Sequence, residues 1–535
     1  MLPQPRPSRR SMLALLGAAP LAATGVLASS GTAHARTGRQ PADDPALDAA
    51  IQRIIGRPEF QGARWAMAFH SLDDEKRVYS MNPGELFVAG SAYKVFVAGT
   101  AFEALGAPGH RFRTRVYRTG PVSRGVLHGD LVLVAGCDLL IGGRMRPDGT
   151  LALPDPDHTY GTTPGAAAAP GDPLAVLREI AGEVAARGIR RVTGRVLVDV
   201  SLFREAPENI GNGGIPITVS PMMVNDNVVD VTVTPGAASG APAVLHVSPD
   251  IGYVRVVNEV RTIAASGTPG PGNLAFTGDT ANPDGTRTVT LTGDIPVDTP
   301  HLFRAYYVPS PVRFAQTAFA QALRDSGIEA SVRDVTPAPA AHHPDRNRLA
   351  EHVSLPLPEQ LMGMLKVSSN PHAVAWPYIV GAVADGEPDN PVAAYEARRR
   401  RLYEQAGLDP DSVSEQDHLY TSDFFIGFLS HLWRQSYFPR FRSALPIMGR
   451  DGTLANVQVD SPAAGHVHAK TGTSLSHGST RSVSSALAGY IDLPDGRSIA
   501  FAEFVYLPTD SPESQYHLTG EVLGELATTV YLSQS

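Results

Sequence analysis

The chain has 535 residues, 43% of them hydrophobic and 18% charged, and it is long enough for two or three domains with separate cores. A formal net charge of −8, with no basic stripe interleaved with aromatic residues, argues against nucleic acid as a partner. Gly and Pro are abundant, at 51 and 45 residues, which favours many turns and strands over long helices.

The N-terminal 35 residues have the pattern of an export signal. Arg9-Arg10 precedes an apolar stretch that ends near Leu27, and Ala33-His34-Ala35 is a small-x-small cleavage signal. The order Ser-Arg-Arg-x-x-Leu from residue 8 is similar to a twin-arginine signal. A retained membrane anchor is the alternative, but this stretch is short and rich in Gly and Ala. We therefore expect residues 1–35 to be removed and the mature chain to be exported, extracytoplasmic and without a stable membrane span.

The next segments predict a short helix, a β-hairpin and a second helix. The helix is "ALDAAIQRIIG", and "ARWAMAFHSL" then alternates into a turn from which "RVYSMN" returns as the second strand. "GSAYKVFVAGTAFEALG" predicts a helix that begins near Ser91 and ends at Gly106.

From about residue 112 the chain changes to short β-rich segments separated by Gly, Pro and Asp, with helices at "PLAVLREIAGEVAARG" and "SPVRFAQTAFAQALRDSG". A Pro/Ala/His-rich connector precedes residue 350, and a β-hairpin and a helix close the chain. We therefore predict an α/β (α+β) fold in which residues 43–111 and 351–535 form one domain, a central antiparallel sheet with helices. Residues 112–350 would be a large β-rich insertion into it, in two subdomains.

Cys137 is the only cysteine, so the chain cannot form an internal disulfide. It lies at the end of an apolar run with no paired His motif, and we interpret it as a small buried residue. No metal-binding spacing such as His-Glu-x-x-His occurs, and His342-His343 in the connector is expected at the surface. The sequence predicts neither a metal site nor a cofactor.

Ser91 and Lys94 are spaced for chemistry on one helix face. Residues three apart on a helix lie side by side, and a Ser hydroxyl becomes a good nucleophile when a base takes its proton. A neutral lysine amine can be that base, whereas arginine does not lose its proton. Only four of the 45 Lys and Arg residues are lysines, so a lysine in this apolar run stands out. Desolvation and a second nearby cation would both favour the neutral amine.

Two later motifs complete the pattern. Ser368 and Asn370 form Ser-x-Asn, and Lys470-Thr471-Gly472 leads toward the C-terminal hairpin, where the glycine would allow close approach of a substrate. Each motif alone is a weak signal that a surface Ser, a helix cap or a solvated Lys would also explain. All three in this order, Ser-x-x-Lys, Ser-x-Asn and Lys-Thr-Gly, are typical of penicillin-interacting serine enzymes.

The long insertion narrows this resemblance to the penicillin-binding protein 4 type D-alanyl-D-alanine carboxypeptidases, peptidase family S13. Segments similar to that family cover nearly all of the mature chain: "RFRTRVYRTGPV", "GVLHGDLVLVAG", "GRVLVDVSLF", "VNDNVVDVTVTPG", "LPIMGRDGTL" and "VHAKTGTSL". The resemblance implies a serine D-alanyl-D-alanine carboxypeptidase, with D,D-endopeptidase action as a second activity. Its partners would be peptidoglycan stem peptides, with β-lactam antibiotics as covalent inhibitors.

The resemblance also implies a role for each motif residue. Ser91 would attack the carbonyl between the two terminal D-alanines, and Lys94 would take its proton. Ser368 would relay a proton to the leaving amine, and Asn370 would hold Lys94 and the substrate amide. The remaining implied positions are Lys470, which supports the electrostatics, and a substrate-binding set comprising Thr471, Gly472, Thr473 and Asp199. Asp199 would meet the amino end of the peptide side chain, although an Asp near a strand end often caps a turn.

Three segments near the expected cleft depart from the family pattern. "GCDLLIG" stands where the family tends to have "GDPTL", "SVSEQDHLY" replaces a glycine-rich segment, and the loop after Lys-Thr-Gly, "TSLSHGSTRSVSS", is longer. These changes leave the Ser-Lys chemistry intact and affect substrate specificity. A β-lactamase, a D-specific esterase or amidase on the same scaffold, and a non-catalytic wall-binding homologue are the alternatives, and the intact motifs argue against the last.

Overall fold

The computed structural model describes residues 44–106, 109–210, 216–267, 273–330, 332, 343–478 and 480–535. The predicted export signal lies outside these residues. The described chain divides into two compact units. The first unit comprises residues 44–96 and 400–535, and the second comprises residues 97–210 and 216–399.

The helices of the described chain include those predicted after the export signal, within the insertion and at the C-terminus. In chain order they are α1 (Pro45–Ile55), α2 (Lys94–Leu105), α3 (Ala175–Ala186), α4 (Pro311–Asp325), α5 (Leu357–Leu365), α6 (Asn370–Val383), α7 (Pro391–Gln405), α8 (Ser422–Trp433), α9 (Phe438–Ser443) and α10 (Pro512–Gln534).

The strands are mostly short, as the Gly and Pro content predicts. In chain order they are β1 (Arg64–Ser71), β2 (Lys76–Met81), β3 (Phe87–Val88), β4 (Arg113–Arg118), β5 (Val122–Ser123), β6 (Val126–Leu127), β7 (Leu131–Val134), β8 (Arg191–Val192), β9 (Val196–Asp199), β10 (Ala206–Asn209), β11 (Pro216–Val219), β12 (Val228–Thr234), β13 (Val244–Ser248), β14 (Val254–Ile263), β15 (Ala275–Ala281), β16 (Arg287–Pro296), β17 (Leu302–Tyr307), β18 (Arg348–Val353), β19 (Leu419–Tyr420), β20 (Val467–Ser476), β21 (Ser482–Asp492) and β22 (Ser498–Pro508).

The first unit is built on a five-stranded antiparallel sheet in the order β2-β1-β22-β21-β20. The two predicted hairpins form as expected, and β1 pairs with β22, which joins the N-terminal hairpin to the C-terminal one. The Ser91 segment therefore belongs to the same unit as the Lys-Thr-Gly strand, although about 380 residues separate them in the chain.

Helices α1 and α10 cover one face of this sheet, because their apolar residues pack with the strand residues on that side. Ile51 of α1 and Leu526 of α10 join Phe69 and Phe501 of the sheet in one buried cluster. The rings of Phe69 and Phe501 stack with centroids 5.5 Å apart. On the other face, Phe504 of β22 packs against Phe425 of α8 at 5.7 Å.

The second unit contains several smaller sheets. The four-stranded one has the order β18-β4-β7-β9, with β7 and β9 parallel and the other pairs antiparallel. Two three-stranded sheets have the orders β13-β12-β17 and β14-β16-β15, and β5-β6-β8 and β10-β11 are shorter. The unit extends from residue 97 to residue 399, beyond the insertion expected at 112–350, and those narrower bounds stay a prediction.

The main core of the second unit lies between helices α3 and α4 and the strands beside them. Leu177 and Ile180 of α3, Phe314 and Phe319 of α4 and Val198 of β9 are at most 1% exposed. Cys137 follows β7 and is buried, as the sequence indicated. Within the described residues, none of the helices combines the length and the hydropathy that a bilayer crossing requires.

Candidate active site

Ser91 and Lys94 lie where a short 3₁₀ turn becomes a helix. The turn covers Gly90–Tyr93, and Lys94 is the first residue of α2. Ser91 is half-buried, and Lys94 is completely buried. The predicted helix therefore begins with a tighter turn at the serine, and the lysine three residues later starts the regular α-helix.

Two glycines allow this turn to pack directly against strand β20. Gly90 has a left-handed φ of +48°, and a Cβ there would lie 2.7 Å from the backbone N of Thr473. A Cβ on Gly472 would lie only 1.9 Å from the carbonyl oxygen of Ala89. No side chain fits at either position, so glycine is required for the backbone of the Ser91 turn to meet the Lys-Thr-Gly strand.

Lys470 is also completely buried, on edge strand β20. Its Nζ donates to the carbonyl oxygen of Thr471 at 2.8 Å, and the Thr471 hydroxyl donates to Thr453 Oγ1 at 2.8 Å. In the β20–β21 register Lys470 is opposite Ala488 and Gly472 is opposite Ala486. Small residues beside both positions leave room for the long lysine side chain and for the turn that carries Ser91.

Aromatic packing and backbone pairing hold the serine turn in place. Phe96, two residues after Lys94, has its ring centroid 4.6–4.8 Å from those of Tyr420, Phe425 and Phe428. The Tyr93 ring stacks on His418 at 4.1 Å. Just before the turn, β3 pairs with β19, and the N–H of Ala89 donates to the His418 carbonyl at 2.9 Å.

Strand β20 continues further than the sequence suggested. The segment interpreted as a long loop after Lys-Thr-Gly is strand up to Ser476, in register with β21 as far as the pair Ser476 and Ser482. Its Ser and Thr residues form cross-strand pairs such as Thr473 with Ser485, a pairing that suits a solvated sheet edge. The expectation of a longer loop was therefore wrong for most of this segment.

Ser368 and Asn370 belong to the second unit, where Ser368 lies between α5 and α6 and Asn370 begins α6. Ser368 is 6% exposed and has a left-handed φ of +60°, which few residues other than glycine adopt. Asn370 is the first residue of α6, and its Nδ2 donates to the carbonyl oxygen of Ile210 at 2.9 Å. The Ser-x-Asn motif is therefore the entry to a helix, with a strained backbone at its serine.

Asp199 ends β9 in the second unit and is only 2% exposed. One carboxylate oxygen accepts from the N–H of Ser201 at 2.9 Å, and the other is 3.2 Å from Nε2 of His343. It lines a cavity of about 260 Å³ together with Leu202 and Pro388. His343 was expected at the surface, but its side chain is 14% exposed because it bonds to Asp199 and stacks on Tyr117. His342 lies outside the described residues.

One buried cluster of polar side chains was not predicted from the sequence. Asp226 and His158 lie in the second unit, and each is bonded to other ionisable residues. The available signal was the run Asn225-Asp226-Asn227, which interrupts the apolar residues on either side. All three residues are nearly buried with left-handed φ values of 49–56°, so this polar run folds inward.

The serine turn brings together residue types that suit acyl transfer. No group of three or more His, Cys, Asp or Glu side chains is arranged to hold a metal ion within the part of the chain that the structure describes. A half-buried serine precedes a buried lysine by three residues, and their turn packs on a strand that carries Lys-Thr-Gly. This sheet and these motifs are typical of the penicillin-interacting serine enzymes.

Comparison with known proteins defines the family. The D-Ala-D-Ala carboxypeptidase 3 (S13) family model matches residues 47–517, so the chain belongs to this family. It is 28% identical over 477 residues to the D-alanyl-D-alanine carboxypeptidase of Actinomadura sp. (strain R39), covering 84% of this chain and 79% of that protein. The predicted family and the serine-type D-Ala-D-Ala carboxypeptidase activity that it defines are confirmed at this level.

Solved structures support the predicted fold class. Penicillin-binding protein 4 from Haemophilus influenzae matches with a TM-score of 0.65 at 18% identity, over 91% of this chain and 98% of that one. The same protein complexed with a β-lactam matches with a TM-score of 0.62, again at 18% identity and over 91% and 98% of the two chains. The fold predicted from the sequence is therefore confirmed.

Proposed function

We propose that this protein cleaves the terminal D-alanine from peptidoglycan stem peptides through an acyl-enzyme on Ser91. The observation that carries the proposal is the backbone contact between the Ser91 turn and the Lys-Thr-Gly strand, which Gly90 and Gly472 make possible. At this contact the backbone N of Thr473 lies beside the turn that carries the serine. The buried Lys94 directly follows that turn.

Acylation begins when the Ser91 Oγ attacks the carbonyl carbon between the two D-alanines. Lys94 Nζ accepts the hydroxyl proton, so the attacking oxygen is an alkoxide only transiently. The negative charge that develops on the carbonyl oxygen is received by the backbone N–H groups of Ser91 and Thr473. Fixed donors of this kind, aimed at the developing charge, contribute about 3–4 kcal/mol of transition-state stabilisation each.

The substrate carboxylate and the leaving group define the remaining roles. Lys470 supplies positive charge and Thr471 a hydroxyl for the terminal carboxylate, which distinguishes a C-terminal D-alanine from an internal residue. Ser368 relays a proton to the leaving amine, and Asn370 holds the substrate amide and Lys94. When the C–N bond breaks, D-alanine departs, and water then attacks the Ser91 ester to release the shortened peptide.

A β-lactam would enter the same reaction and stop at its second step. Its strained amide acylates Ser91, but the leaving amine stays attached through the ring, so the adduct lasts much longer than the peptide acyl-enzyme. β-Lactam antibiotics are therefore expected to be covalent inhibitors that label one serine.

The export signal and the insertion complete the proposal. Residues 1–35 would direct the chain out of the cytoplasm by the twin-arginine route, to the compartment where stem peptides occur. Residues 112–350 would form the module inserted into the catalytic domain, and its Asp199 would meet the amino end of the peptide side chain. Because Asp199 is buried and bonded to His343, the substrate amine would have to displace that imidazole to reach it.

Labelled penicillin and a muropeptide ending in D-Ala-D-Ala test this function directly. The wild-type chain should form a long-lived adduct on the peptide containing Ser91, detected by mass spectrometry, and should release free D-alanine. Ser91→Ala should lose the adduct and at least about 10³-fold of the release rate. Ser123→Ala, at an exposed serine on β5, is the matched control and should keep both.

Two other results of these experiments would contradict the proposed function. A wild-type chain that forms no adduct on Ser91 and releases no D-alanine would overturn the proposal. Rapid turnover of the penicillin would identify a β-lactamase instead.

A further inference from the structure

The second unit contains a buried ionic cluster that the catalytic roles above do not use. We call Arg144, Asp157, His158, Asp226 and His372 the Asp226 network. Each of the five is at most 3% exposed. They come from four separate stretches of the chain, so only the folded second unit assembles them.

Asp226 is the centre of this network because both of its oxygens accept from cationic or imidazole groups. Arg144 Nε lies 2.9 Å and His158 Nε2 2.6 Å from Oδ2, and His372 Nε2 lies 2.5 Å from Oδ1. Burial alone would raise the pKa of Asp226, but Arg144 and His372 outweigh it and hold the pKa well below its ordinary value. The carboxylate is therefore ionised, and both imidazole Nε2 atoms must carry hydrogen to donate to it.

The remaining members compensate the charge around Asp226. Arg144 also forms a two-pronged pair with Asp157, with N–O distances of 2.7 and 2.9 Å. His158 Nδ1 lies 3.0 Å from Asp230 Oδ1, so both of its ring nitrogens face carboxylates. Burial opposes the charge on His158, but Asp230 and Asp226 outweigh it and raise its pKa to about 10. His158 is therefore an imidazolium near neutral pH.

This network reaches the Ser-x-Asn motif from two sides. His372 lies in the first turn of α6, and its backbone N–H donates to Ser369 Oγ at 3.5 Å, so that Ser369 caps the helix. From the other side, Tyr160 follows Asp157 and His158 in the chain, and its hydroxyl donates to the Ser368 carbonyl oxygen at 2.7 Å. The motif is thus bonded at the Ser368 carbonyl and at the Ser369 hydroxyl by residues that belong to the network or directly follow it in the chain.

The imidazole of His372 fits only because of a glycine. A Cβ on Gly363 would lie 2.5 Å from His372 Nδ1, and the Gly363 carbonyl oxygen accepts from the N–H of Ser369 at 3.0 Å. The same glycine therefore makes room for the ring that bonds Asp226 and anchors the turn that carries Ser368.

Buried ion pairs contribute little net stability compared with apolar residues of the same volume, and in some proteins they specify one conformation. Here the conformation that needs support is the left-handed backbone of Ser368, with its φ of +60°. Such strained residues persist where the surrounding structure fixes them, and they cluster at functional sites. Hydrogen bonds to the Ser368 carbonyl and to the hydroxyl and N–H of Ser369 provide that constraint.

We propose that the Asp226 network holds Ser368 and Asn370 in their reactive orientation. His372 and Tyr160 are the positioning residues that connect the network to the Ser-x-Asn motif. The inference rests on the proposed function, because it takes Ser368 and Asn370 to act in the acyl-transfer reaction. Misplacing a reacting group by about 1 Å can cost about 10²-fold in rate, so the effect falls on kcat.

Two substitutions at His372 separate positioning from folding. His372→Leu removes the donor to Asp226, whereas His372→Gln keeps an N–H donor at a similar distance from the main chain. D-Alanine release should be measured per active site, with the number of active sites counted by labelled penicillin, so that unfolded chains do not contribute. We expect kcat per site to fall about 10²-fold in His372→Leu with KM within about threefold of wild type, and His372→Gln to recover most of the loss.

Tyr160→Phe is the milder variant, because it removes only the hydroxyl that bonds the Ser368 carbonyl. We expect kcat per site to fall about tenfold with an unchanged melting temperature. Tyr306→Phe is the matched control: its hydroxyl bonds Asp279 at 3.1 Å in the same unit, and its kcat should stay within about twofold of wild type.

Unchanged kcat per site in both His372→Leu and Tyr160→Phe would overturn the positioning role and leave a purely structural one. Ser368→Ala, measured in the same assay, tests whether Ser368 takes part in the reaction at all. If Ser91 is acylated but Ser368→Ala keeps full kcat, the role of Ser368 is wrong and the inference is overturned with it. If wild-type Ser91 is not acylated, the proposed function itself has failed.

Discussion

The two units of this protein bury their carboxyl groups in opposite states. In the first unit, Glu503 on β22 is fully buried, and neither of its oxygens has a hydrogen-bond partner among the described residues. Burial holds its pKa well above the ordinary value, so the side chain is neutral. In the second unit, Asp226 is almost equally buried, but its cationic neighbours hold its pKa well below the ordinary value. The partners, rather than the depth of burial, decide the charge.

This difference suits the work proposed for each unit. Under the proposed function, the first unit would have to let the ammonium of Lys94 lose its proton, and an apolar interior favours the neutral form of an ionisable group. The second unit has to hold a turn in one conformation, and compensated charges with directional bonds do that. Three substitutions test this difference between the two units.

Lys94→Arg should have the largest effect. Arginine keeps the positive charge and cannot lose its proton, so the base proposed for Ser91 disappears while a buried cation remains. The rate of penicillin acylation should fall on the order of 10⁴-fold. Stopped-flow measurement of acylation against pH is the test, and Lys76→Arg, at an exposed lysine on β2, should change nothing. Near-normal acylation by the arginine variant would show that a permanent cation is tolerated there.

Arg144→Met should cause the largest loss of stability among the three variants. It leaves Asp157 and Asp226 buried without the guanidinium that bonds both, and breaking a buried pair in this way costs about 3–5 kcal/mol. The free energy of unfolding in urea is the measurement. Arg400→Met is the matched control, because Arg400 pairs with Asp411 with the same two-pronged geometry at 2.9–3.0 Å but at an exposed site. Equal losses in the two variants would contradict the importance of burial.

Glu503→Gln should have a smaller effect that grows with pH. The unfolded chain releases the Glu503 proton above its ordinary pKa, while the folded protein keeps it because its pKa is raised. Wild-type stability should therefore fall with rising pH by about 1.4 kcal/mol per pH unit from this group, until the folded pKa is reached.

Urea unfolding at pH 5 and pH 7 checks this. Glutamine has the same shape without the titration, so the variant should be close to wild type at pH 5 and more stable at pH 7. Glu59→Gln, at an exposed position, should show no such pH-dependent gain. A pH-independent difference between Glu503→Gln and wild type would mean that Glu503 is ionised in the folded state.

The sequence predicted the secondary-structure elements correctly where the pattern that encodes them is local. The helix after Ser91, the two hairpins and the terminal helix are encoded by consecutive residues, since spacing and alternation directly reflect backbone geometry. The pairing of β1 with β22 is not local, and the sequence predicted only that both hairpins belong to one domain with a central sheet. The Asp226 network was missed because Asp226 and His372 are 146 residues apart in the chain. Asp226 lies in one of the family-like segments, but no spacing in the sequence links it to His372.

Two local errors have physical causes. The Ser- and Thr-rich segment after Gly472 resembled a loop because its residues are polar, but it lies on an edge strand where polar β-formers are accommodated. His343 resembled a surface residue because its connector is rich in Pro and Ala, yet a buried carboxylate at Asp199 gives its imidazole a partner. In both cases the deciding neighbour is distant in sequence.

The single buried cysteine gives the natural protein a reporter of its own motions. Cys137 is 1% exposed, and burial raises the pKa of its thiol, so a maleimide or disulfide reagent cannot react until the surrounding segment opens. The N–H of Cys137 donates to the carbonyl of Pro221 at 3.1 Å, four residues before the run that contains Asp226. The rate of thiol labelling would therefore measure how often this part of the second unit opens, with no engineered probe.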